Sequence, residues 1–264
     1  MNESDSLRCM GEDRHLIGIP NREDIAVERL LGLLPFLHPA WYESLGIDHH
    51  SHWALVRPLL QKPMADLRQA EIDIVLGRMK VLADENGHAK FVWPPPTDYL
   101  VAVEAKCQVV TWEDTESWAS AVTPKINLRQ QLERNLDLGF HRVAALHVVA
   151  APPSEDYWGV MRAARALGNY YLPIANGHLL DLVGKLSVGH AVLAMAGVSW
   201  KHEGDSGTVL PMKIIPSPLS GMGLQETALL QIQQFLATCP APRNSRAVFV
   251  RNKGQWLPLD STFN

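Results

Sequence analysis

The sequence is short of several things that would give an easy identity. It has three cysteines in 264 residues, Cys9, Cys107 and Cys239. An odd number, so widely spaced, makes neither a disulfide framework nor a paired Cys-x-x-Cys metal knuckle. A reducing cytoplasm is the expected compartment. No apolar run is long enough to cross a bilayer: the longest uncharged apolar stretch, 190–200, is about half of what a spanning helix needs. The first fifteen residues, MNESDSLRCMGEDRH, are polar and acidic, so no secretory signal is expected. An excess of basic charge is also missing. The formal net charge is -4 and the pI about 6.2. A chain that binds nucleic acid by charge alone is usually basic, so phosphate contacts here must come from a local basic face, metal ions or a partner.

What is present is ordinary globular material, with 47% hydrophobic and 20% charged residues. Residues 1–20 read as a leader. Asn21 with Asp24 predicts a helix start, followed by an apolar face of Ile25, Val27, Leu30, Leu31 and Leu34. The stretch WYESLGIDHHSHW has no clear period. Residues 71–76 alternate as a strand, with Ile72, Ile74 and Leu76 on one face and Glu71 and Asp73 on the other. Residues 98–110 form the strongest strand, residues 124–138 a polar helix capped by Gly139, and residues 143–150 a buried strand. Strands over 190–200 and 208–215, a helix over 225–236, and a hairpin turning at Asn252-Lys253-Gly254 follow. This order predicts an α/β (α+β) fold with a mixed central sheet flanked by helices. Residues 21–150 are the expected core, and residues 151–264 a C-terminal α/β extension packed on it.

The chemistry gathers in two segments, IDIVL and VAVEAK. The strand period puts Glu104 and Lys106 on one face and Val103, Ala105 and Cys107 on the other. Pairing of the two strands lets Asp73 join that polar face, over a sheet whose other face is buried. Two carboxylates suit Mg²⁺, which takes oxygen ligands and keeps several waters; Mn²⁺ fits the same donors, and the Ala105 carbonyl adds an oxygen. Lys106 beside such an ion can orient water or stabilise charge on a phosphate.

Asp73 about thirty residues before Glu104-Ala105-Lys106 resembles the PD-(D/E)XK, or restriction-endonuclease-like, nuclease superfamily. The segment Val27-Glu28-Arg29-Leu30-Leu31 is similar to the helix that completes the metal site in many members. Gln131-Leu132-Glu133-Arg134-Asn135 is similar to the Gln-Leu-x-x-Tyr pattern of the following helix, with Asn135 in the tyrosine place. The resemblance implies a restriction-endonuclease-like core and a metal-dependent nuclease acting on DNA, with RNA as the second substrate class. It implies service in restriction, repair or defence against mobile elements. Asp73, Glu104 and Glu28 would hold the metal with Ala105, Lys106 would position water, and Gln131 would support Lys106 or contact a phosphate. Lys125, Arg129 and Arg134 are the local candidates for phosphate contact. The charge balance favours a homodimer or a partner-protein complex, away from membranes. Two other readings stand beside this one. One is a non-catalytic nuclease-like interaction subunit. The other is a zinc hydrolase built on Asp48, His49, His50 and His52.

Overall fold

The computed structural model describes residues 39–61, 69–83, 85–109, 126–150, 162, 165–166, 169, 181, 184–197 and 207–259. The leader, the helix expected after Asn21, and Lys125 lie outside them.

The first element is a short helix, α1 (Pro39–Ser44), drawn from the stretch without a period. Its Trp41, Tyr42 and Ser44 are buried. β1 (His52–Val56) follows, buried at every position. A five-residue run buried on both faces has no alternation, which is why the sequence left it unread. A hairpin, β2 (Leu59–Gln61) with β3 (Gln69–Glu71), leads to β4 (Ile74–Arg78). β5 (Val81–Ala83) and β6 (Ala89–Phe91) form a second small hairpin. Then come β7 (Leu100–Val109), α2 (Ile126–Asp137) and β8 (Arg142–Ala150). The remaining elements are β9 (Gly189–Gly197), β10 (Gly207–Ile215), α3 (Glu226–Thr238), β11 (Arg246–Asn252) and β12 (Gln255–Pro258). Lys253 and Gly254 turn the last hairpin with φ of 46° and 86°, the left-handed backbone that tight strand connections require.

The result is a mixed α/β fold around one eight-stranded sheet, ordered β10-β9-β8-β7-β4-β1-β11-β12. β1, β4 and β7 form an antiparallel meander, and α2 then carries the chain to β8, parallel to β7. β9 and β10 extend the sheet beyond β8, and β11 and β12 extend it beyond β1, so residues after 150 supply four of the eight strands.

Both sheet faces are buried. On one, α1 and the turn after it lay Trp41, Tyr42 and Leu45 over Ile74, Leu76, Val101, Val103 and Ala105. On the other, Leu128 and Leu132 of α2 and Ile232 and Leu236 of α3 cover Val75, Leu100, Ala102 and Phe249. Two expectations change here. The polar face of the central strands is not a solvent face, because α2 packs over it. The strand expected at 71–76 is also broken: β3 ends at Glu71 and β4 begins at Ile74. Main-chain bonds explain the break, since Arg57 N–H donates to the Asp73 carbonyl (2.9 Å) and Ile72 N–H to the Pro58 carbonyl (3.2 Å). The bend reverses the phase, so Ile72 packs with Val75 while Ile74 and Leu76 occupy the opposite core.

Candidate metal and phosphate centre

The bend places Asp73 just ahead of β4. Ile74 is the register partner of Val103, so Asp73 falls beside Glu104 and Ala105 in the middle of the sheet. Its Oδ2 accepts the Ala105 N–H at 2.9 Å. An extended residue shows its N–H and carbonyl on the same side of the strand, so the Ala105 carbonyl also lies on the Asp73 side, past the end of β4. Lys106 Nζ stands 3.9 Å from Asp73 Oδ2, with the two side chains 18% and 13% exposed. The expected triad is therefore gathered: Asp73, Glu104 and Lys106 meet on the α2 face. It lies on the fourth and fifth strands of eight, not at a sheet edge.

Glu104 is wholly buried. Asn135 of α2 donates from Nδ2 to its Oε1 at 2.7 Å. Arg134 donates from Nη2 to the same oxygen at 3.2 Å and to the Glu71 carbonyl at 2.6 Å. Apart from Asp73, no donor among the described residues reaches Glu104 Oε2. Burial pushes this carboxyl up to about 8, and the Asp73 carboxylate beside it pushes the same way. Asn135 and Arg134 pull against both. A group held in this way takes up a proton or a cation readily.

The remaining candidates divide. Arg134 is not free for phosphate, because it is folded inward on Glu104. There it opposes, without overcoming, the upward push that burial gives the Glu104 carboxyl. Arg129 is exposed on α2 and pairs with Glu133, one turn on, at 2.8 Å. Gln131 sits one helical turn before Asn135, and its buried Oε1 has no hydrogen-bond partner among the described residues, so the expected support of Lys106 is not formed here. Glu71 holds Arg57 through Nε at 2.7 Å and Nη2 at 2.6 Å. Glu28 and Lys125 fall outside the described residues.

Sequence reasoning missed two residues. Asn135 looked like a departure from a motif, yet it is the closest partner of Glu104. The available signal was a polar residue on the apolar stripe of Leu128 and Leu132. His147 hid inside the apolar run of β8. It is the register partner of Lys106 across the β7–β8 ladder, and its ring lies 4.6 Å from that of buried His190.

The histidine-rich loop does not converge. The rings of His49 and His50 lie 3.5 Å apart, tilted, on a turn, while His52 is buried against Tyr42 and pushed down to about 4 by that burial.

Among the described residues no group of three or more His, Cys, Asp or Glu side chains stands together as a metal cage. Two carboxylates and a main-chain carbonyl nonetheless fit a hard divalent ion that keeps most of its waters. Glu104 Oε2 meets no other donor among the described residues, and the Glu104 carboxyl is hydrogen-bonded to Asp73, the two sharing a proton in a place that a divalent ion would take over. No family model, curated protein or solved structure matches the chain.

Proposed function

We propose that the chain is a metal-dependent nuclease of the restriction-endonuclease-like kind, hydrolysing phosphodiester bonds in DNA, with RNA as the second substrate class. The observation that supports it best is the meeting of Asp73, Glu104 and Lys106 where β4 begins, with the amine 3.9 Å from one carboxylate. The meander β1-β4-β7 followed by a crossover helix and a parallel strand supports it as well.

Mg²⁺, or Mn²⁺, would be held by Asp73, Glu104 and the Ala105 carbonyl, and when bound would polarise the scissile phosphate and neutralise developing charge. The chain's own residues do the rest. Lys106 sets its amine beside Asp73, where it can orient an attacking water or meet the developing phosphate charge. Asn135 and Arg134 fix the Glu104 carboxylate against α2, so its second oxygen is presented in one direction. The Ala105 N–H holds Asp73 in place. By analogy with the resemblance, the biological setting would be restriction, repair or defence.

A second reading is favoured by one observation. Arg134 and Asn135 already occupy Glu104 Oε1 at 3.2 and 2.7 Å, as a purely structural contact in a non-catalytic interaction subunit would. Incubation of linear, circular and single-stranded DNA, and of RNA, with Mg²⁺, Mn²⁺ or EDTA separates the two. The nuclease reading expects metal-dependent cleavage, lost by orders of magnitude in Lys106→Ala and Asp73→Ala while the fold survives. Near wild-type cleavage in either variant would falsify it.

A further inference from the structure

Arg57 and Glu71, which border the Asp73 bend, also line a groove of ≈ 430 Å³ with Val56, Leu59, Arg251 and Gly254. The strand registers explain where it lies. Val56 pairs with Ile74 on one side and Val250 on the other. Arg57 and Arg251 are the next residues along, so they stand at the same end of the sheet as Asp73. β1 and β11 are parallel, and β1 and β7 also point the same way, each being antiparallel to β4. The chain leaves β1 toward β4 and leaves β11 toward β12, on opposite sides. The groove thus opens at the carboxyl ends of two parallel strands whose connections diverge.

Two further features point to what it would take. Arg57 has φ of 56°, the left-handed region that a non-glycine residue seldom enters, and its N–H is bonded to the Asp73 carbonyl. Such outliers persist where the surroundings enforce them, and they gather at functional sites. Arg251 is exposed and has no ion-pair partner among the described residues. Among the described residues, two guanidinium groups and one carboxylate line the groove, a positive balance on a chain of net charge -4. Guanidinium forks match phosphate geometry.

We propose that this groove is a subsite for the phosphodiester backbone of a nucleic acid, with Arg57 and Arg251 on phosphates flanking the scissile one. The proposal rests on the nuclease reading. Glu71 holds the Arg57 guanidinium beside the groove until a phosphate replaces it.

The test is binding of a fluorescein-labelled DNA duplex in EDTA, followed by anisotropy across salt between about 50 and 200 mM. Arg57→Gln and Arg251→Gln should each weaken binding several-fold and lower the salt slope by about 1. Glu71→Gln should tighten binding. Arg243→Gln is the charge-matched control, exposed just before β11 at the opposite end of the sheet. Should Arg57→Gln fail to fold, the exposed Arg251 decides alone. If both groove variants bind as Arg243→Gln does, or if the wild-type chain binds no duplex, the subsite is wrong. Cleavage is scored separately. A wild-type chain that cleaves while its groove variants bind as the control does loses the subsite alone. A chain that shows the groove dependence and never cleaves loses the nuclease reading and keeps a phosphate-binding groove.

Discussion

Glu104 concentrates the residue-scale chemistry. Its carboxyl is buried and raised to about 8, so between its ordinary range and that value the folded state binds a proton that the unfolded state has released. The sign follows: no penalty exists at pH below the unfolded value, and stability is lost as pH rises toward 8. Glu104→Gln removes the titration, so the pH dependence of unfolding between about 5 and 8 should flatten. Chemical denaturation of both proteins across that range checks it; an unchanged slope puts the pH dependence elsewhere. A cation between Asp73 and Glu104 would oppose the same proton, so Mg²⁺ affinity should rise over the same interval. Asn135 matters for the opposite reason. Asn135→Leu deletes the closest hydrogen bond to Glu104 and leaves a buried oxygen to Arg134 alone, costing about 1–3 kcal/mol in thermal or denaturant unfolding.

At the scale of elements, the bend between β3 and β4 does what neither strand does alone. It turns Asp73 toward Ala105 and sends Ile72 into the α2-side core. Arg57 pins that bend through a backbone in the left-handed region. Glycine enters that region without strain, so Arg57→Gly should leave stability within about 1 kcal/mol of wild type. β4 carries a second constraint. The Trp53 indole of β1 occupies the space that a Cβ at Gly77 would need, where Gly77 is the register partner of Trp53. Gly77→Ala therefore forces the β1–β4 pair apart or the indole out of the core. It should cost at least about 1–3 kcal/mol. A variant with wild-type melting behaviour would show that the strands yield more easily than this packing implies.

At the scale of the molecule, the central strands hold the site while later segments frame it. β11 returns from the end of the chain to lie beside β1, bringing Arg251 level with Arg57. The net charge of -4 sets the expected behaviour. Affinity for DNA in the absence of metal should be weak, with a slope reflecting few phosphates. A second copy or a partner protein would add basic surface, so light scattering is expected to report a homodimer or a complex. A monomer that binds duplex tightly at physiological salt contradicts this.

The sequence alone determined the local elements with strong signals. The valine-rich run became β7, the Gly139 cap ended α2, and Asn252-Lys253-Gly254 turned the final hairpin. Strand alternation also put Glu104 and Lys106 on one face, because a period of two is a property of the backbone. Tertiary structure decided the rest. The break at Ile72–Asp73 depends on carbonyls and N–H groups of the segment after β1, which no local pattern encodes. Asn135 and Arg134 reach Glu104 only because α2 crosses back over β7. Arg57 and Arg251, 194 positions apart in the chain, become neighbours through the parallel pairing of β1 with β11. Contacts between residues distant in sequence are set by which strands pair, and that choice is made by burial of both sheet faces together rather than by any one segment.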